Sequence, residues 1–155
     1  MRITGYILIV TAFAVGGFIK NAEINQKIKN SYAYFDFICL IREKIALWQL
    51  PLTKIYESIT SDELKALGFT EKLKYQGLPE AYRFIENKLV FESSHLDFCK
   101  SLGSMPLVET VKLCDEEIKR LEHELRQKQE SLEKKSKLYP ALGILAGLAA
   151  VILIL

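Results

Sequence analysis

The chain has 155 residues, half of them hydrophobic, and a formal net charge of only +2. That length suits one compact domain, and so small a charge excludes a general nucleic-acid binder, which needs a clustered basic surface. The three cysteines, Cys39, Cys99 and Cys114, are odd in number and widely spaced, which excludes a disulfide framework and fits a reducing cytoplasm.

The apolar content is segregated to the two ends. Residues 3–19 carry no charge and make about 25 Å of helix, near the lower limit for a hydrocarbon core of about 30 Å. They predict a transmembrane helix. A cleaved signal peptide is the alternative, given the short stretch Met1-Arg2 in front and the small residues Gly16 and Gly17, but the cleavage pattern is poor.

Residues 20–138 predict a helical, water-facing body. A first helix over 21–50 shows apolar steps of three and four at Ile24, Ile28, Phe35, Ile38 and Ile45, with Ser31 and Arg42 as gaps. Pro51 breaks it and opens a short helix reaching Ile59. Thr60 and Glu63 predict a capping box for a helix that Gly68 ends. Leu78-Pro79-Glu80 starts another, with Ala81, Tyr82, Phe84, Ile85 and Leu89 as its buried face. The next runs over 91–102 and stops at Gly103.

Ser104 is the expected N-cap of the longest helix, with Pro106 in its first turn. Along it Leu107, Val111, Cys114, Ile118, Leu121, Leu125 and Leu132 alternate steps of four and three, with one step missed at Lys128. Such a seam belongs to a coiled coil or an antiparallel hairpin. No stretch predicts a strand.

Residues 139–155 are apolar all round, which a soluble fold has no way to bury, and predict a second transmembrane helix. Lys20, Lys27 and Lys29 follow the first span, and Lys134, Lys135 and Lys137 precede the second. The positive-inside rule therefore predicts a cytoplasmic body. Near a membrane the run 134–137 could also hold anionic headgroups, although a topology signal is the simpler reading. Gly143 and Gly147 with Ala146 and Ala150, and Ala12 with Gly16, have the spacing of close-packed membrane helices.

The search for chemistry yields no catalytic, cofactor-binding or metal-ligating residue. His95 and Cys99 share a helix face and could supply two zinc ligands, but a site would also need Cys114 and His123. Without them the two cysteines are small core hydrophobes and His95 a partly exposed helix residue. Ser93, Ser94 and His95 have no nucleophile elbow around them. His123 lies between Glu122 and Glu124 on a charged face. Asp62 with Glu63, and Asp115 with Glu116 and Glu117, suit helix starts, where the dipole favours negative charge. No small-molecule substrate is implied.

Phe98-Cys99-Lys100-Ser101-Leu102-Gly103, then a long charged helix, then Leu142-Gly143-Ile144-Leu145-Ala146-Gly147-Leu148 form a pattern. It resembles the stage III sporulation protein AB family of endospore-forming bacteria, and Trp48-Gln49-Leu50-Pro51-Leu52 is similar to a turn in that family. The chain departs from the family at Met105-Pro106-Leu107 and is short around residues 60–90. The resemblance implies an all-helical body similar to the inner-membrane platform protein of type II secretion systems. It implies a place in the mother-cell membrane, with a cytoplasmic sporulation ATPase, other membrane subunits and the lipid bilayer as partners, and a mechanical rather than enzymatic role. The expected fold is all-α: transmembrane helices at 3–19 and 139–155 flanking a small cytoplasmic bundle with a long amphipathic helix. A coiled-coil tether or sensor self-associating through 107–132, and a His/Cys metal-binding regulator, are the alternatives.

Overall fold

The structure is a computed structural model that describes residues 2–91 and 95–154; in the outer parts of the two terminal helices it describes the backbone and only some side chains. The described residues are all helix, turn and loop, with no strand. They fall into two compact units, Met1–Gln26 with Lys128–Leu155, and Lys27–Gln127. Helix α1 (Arg2–Trp48) and helix α7 (Leu107–Ile154) each contribute to both.

The first unit holds the two terminal helical segments. Among the described residues no helix is long and apolar enough to cross a membrane. The spans expected at 3–19 and 139–155 are helical, but most of their side chains lie outside the described residues. Of Gly143, Gly147, Ala150, Lys135, Ser136 and Lys137 only the backbone is described. At Gly16 a Cβ would meet nothing within 4 Å among the described residues. Lys20 and Glu23 form an exposed ion pair one turn apart, at 3.1 Å.

The second unit carries the core. Its part of α1 buries Tyr34, Phe37, Ile38, Ile41 and Ile45, which keeps the expected Ile38 and Ile45, while Phe35 is only partly buried against the core. Ser31 is no gap in that stripe. It is fully buried, its hydroxyl donating to the Lys27 carbonyl at 2.8 Å and accepting from the Val90 N–H at 2.9 Å. Two apt hydrogen bonds offset the desolvation of a hydroxyl, so a serine can replace an apolar residue on the core face. Arg42 does face away from the core, and its Nε donates to Asp115 Oδ1 of α7 at 2.8 Å.

Short helices fill the space between. Helix α2 (Leu52–Glu57) starts after Pro51, and helix α3 (Asp62–Ala66) is capped by Ser61, whose Oγ accepts from the Leu64 N–H at 3.3 Å. The expected cap, Thr60, is one residue off, because both hydroxyls precede acidic residues and only backbone torsion distinguishes them. Gly68 ends α3 with φ +75, as its lack of a Cβ favours. Helix α4 (Phe69–Gln76) was not expected. Helix α5 (Leu78–Ile85) buries Leu78, Ala81, Tyr82 and Ile85, but Phe84 is exposed, against expectation. A 3-10 turn (Glu86–Lys88) follows.

Helix α6 is shorter than predicted, Leu96–Ser101. At Gly103, with φ +89, a Cβ would lie 2.7 Å from Leu52 Cδ1, so the turn into α7 needs a residue with no side chain. Ser104 does not cap α7. Its hydroxyl closes the preceding turn on the Ser101 carbonyl at 2.7 Å, and the first helical bond of α7 runs from the Thr110 N–H to the Pro106 carbonyl. Leu107 is exposed, whereas Cys114, Leu121 and Leu125 are buried. The middle of the α7 seam, Cys114 to Leu125, is thus buried within the second unit.

Candidate functional site

Glu117, Arg120 and Glu124 lie three and four residues apart on α7 and therefore share a face. They converge on His95, the residue before α6, which is completely buried, not partly exposed as expected. The His95 backbone N–H meets Tyr82 Oη at 3.4 Å. Its ring is wedged edge-on against Tyr82 and Phe91, with centroids 5.9 and 5.0 Å away. These contacts fix both the backbone and the plane of the imidazole.

His95 Nδ1 lies 2.5 Å from Glu117 Oε1, and Arg120 Nη2 lies 2.9 Å from Glu117 Oε2. Arg120 Nη2 is also 2.8 Å from His95 Nδ1. A guanidinium can only donate, and an ionised carboxylate can only accept. Glu117 is therefore the shared acceptor, with the proton on Nδ1, and the nitrogen–nitrogen approach is two donors meeting at one carboxylate. His95 Nε2 is left buried without a hydrogen-bond partner, with Glu124 Oε2 3.9 Å away. The group is a buried, charged brace between α6 and α7. It overturns the view that Glu117 merely suits a helix start.

Among the described residues the brace has no reactive partner. Cys99, expected to share a face with His95, turns instead to Tyr34, whose hydroxyl lies 3.5 Å from its sulfur. Burial pushes the Cys99 and Cys114 thiols up to about 12, so neither supplies the thiolate that a nucleophile or soft metal ligand requires. His123 pairs with Gln127 on the exposed face of α7 at 3.0 Å. Among the described residues no three His, Cys, Asp or Glu side chains gather as a metal site. Ser93 and Ser94 lie outside the described residues.

Thiol chemistry reads this directly. A thiol whose pKa is raised on folding keeps its proton in the native chain when the unfolded chain has lost it. Stability is fully present below the ordinary thiol value and is lost as pH rises towards about 12, the value for both Cys99 and Cys114. The denaturant midpoint should fall steadily above about pH 9, the ordinary thiol range. Alkylation of the native chain at neutral pH should mark half-buried Cys39 first, and Cys99 and Cys114 only with unfolding. Rapid native labelling of Cys99 would contradict the burial.

Cavities between described residues open on the surface of this unit. One, of about 500 Å³, lies between α1 and α3, with Phe37, Leu40 and Leu64 as an apolar floor and Lys29, Asp36 and Glu63 on its rim. Another, of about 380 Å³, lies between α6 and α7 above the brace, over Phe98 and Leu113. Asp97 and Glu116 edge it, and Glu117 and Arg120 close one side.

Residues 93–155, less than half of the chain, match the model of the family described as stage III sporulation protein AB. The match includes α6, the brace residues of α7 and the final apolar segment, and it ties that part of the chain to sporulation. No curated protein and no solved structure matches the chain.

Proposed function

We propose that the chain is a non-enzymatic platform in the mother-cell membrane of a sporulating cell, part of a secretion-like complex, coupling a cytoplasmic ATPase to membrane subunits. The observation that carries this is the family match over 93–155. The uncharged ends 3–19 and 139–155, and the lysines on the inner flank of each, support anchoring with the body in the cytoplasm. A cytosolic motor working on a membrane ring needs a rigid body fixed at the bilayer, and the α6–α7 brace supplies rigidity at the junction.

The test is capture of the tagged chain from sporulating cells in mild detergent. The expected result is co-recovery of a sporulation ATPase and of other membrane subunits, from the membrane fraction alone. A chain that stays in solution without detergent, or that brings down none of these subunits, ends the proposal.

A further inference from the structure

Phe84 is the exposed aromatic of α5, and it is held in place. Its ring lies over Gly68, where a Cβ would come within 3.2 Å of it. The Lys72 ammonium sits 5.4 Å from the ring centroid and the Lys88 ammonium 5.1 Å. No ion pair is recorded for either lysine among the described residues. A ring at 47 % exposure, held beside two cations with no ion pair among the described residues, is a preformed positive knob.

The cavity between α6 and α7 is its complement. Its floor is apolar, formed by Phe98 and Leu113, and its volume of about 380 Å³ admits a phenyl ring. Its edge is negative. Among the described residues Asp97 has only a distant contact to Lys100, at 4.0 Å, and Glu116 has no ion pair. Arg120, the cation there, is already bound to Glu117.

We infer that the Lys72–Phe84–Lys88 knob of one copy docks into the Asp97–Glu116 cavity of a second copy, joining bodies head to tail. Charge complementarity selects this occupant: the knob offers two cations and a ring, and the cavity two carboxylates over an apolar floor. The two patches differ, so the contact is heterologous and each copy keeps one free knob and one free cavity for the next. The array stands apart from the platform reading, since a chain that recruits no secretion subunit would still form it.

The test is sedimentation of the full chain in detergent at rising concentration. The parent should self-associate, more weakly as salt rises. The reversals Lys72→Glu with Lys88→Glu, and Asp97→Lys with Glu116→Lys, should each weaken self-association at least tenfold while leaving the helical circular dichroism unchanged. Mixing the two reversed chains should restore it, because both contacts are then complementary again. A parent that stays monomeric, a reversal that associates as the parent does, or a mixture that fails to recover would each overturn the inference.

Discussion

Replacing Glu117 by alanine is expected to cost about 3–5 kcal/mol of stability, the range for removing one partner of a buried ion pair. Glu117 is 6 % exposed and is the acceptor for both His95 and Arg120. Without it the imidazole, itself fully buried, has two unpartnered nitrogens in an apolar wall of Tyr82 and Phe91. Arg120 fares better, since it reaches water. Arg120→Met should therefore cost far less, about 1 kcal/mol, as for a half-solvated pair. Glu117→Gln keeps an acceptor for Nδ1–H and should fall between. Replacing His95 and Glu117 together by Phe and Leu should recover most of the loss, because a well-packed apolar pair often matches a buried ionic one. Urea unfolding of each full-length variant, followed by circular dichroism, checks the series. A Glu117→Ala midpoint close to that of the parent would show that the brace carries no weight.

The outline of this body was legible, and its polar interior was not. Pro51, Gly68 and Gly103 mark real boundaries because proline and glycine constrain the backbone wherever they stand. The long α7 was legible from its steps of four and three. Helix α4 was invisible because it buries only Phe69, Thr70 and Leu73, too few apolar positions to set a period. Ser31, His95 and Glu117 were misplaced for one shared reason: each is polar by type yet buried by virtue of partners far off in sequence. A signal for Glu117 did exist. It stands three residues after Cys114, as Glu124 does after Leu121, so both acids border the seam instead of facing away from it. Nothing local could have paired them with a histidine on another helix. The spans expected at 3–19 and 139–155 rest on composition, and among the described residues no helix is long and apolar enough to cross a membrane.

Tyr34 stands at the centre of an aromatic cluster. Its ring meets Phe37, Phe69, Tyr82 and Phe91, with centroids 6.2, 6.1, 5.5 and 6.1 Å away. These neighbours come from α1 itself, α4, α5 and the segment before α6, so one side chain ties four parts of the chain together. Tyr34→Ala should cost about 3–5 kcal/mol, as large aromatic truncations in tight cores do, because the rigid rings around it cannot collapse into the gap. Tyr34→Phe isolates the hydroxyl. That hydroxyl's recorded partner is the Cys99 thiol at 3.5 Å, a weak donor and a weak acceptor, so its loss should cost under about 1 kcal/mol. Burial holds the Tyr34 phenol well above its ordinary value, so it stays uncharged at any working pH and adds no ionic contribution. The two variants thus separate packing from polarity at one position. If the phenylalanine variant lost as much as the alanine variant, the Tyr34–Cys99 contact, rather than the aromatic cluster, would be what organises this core.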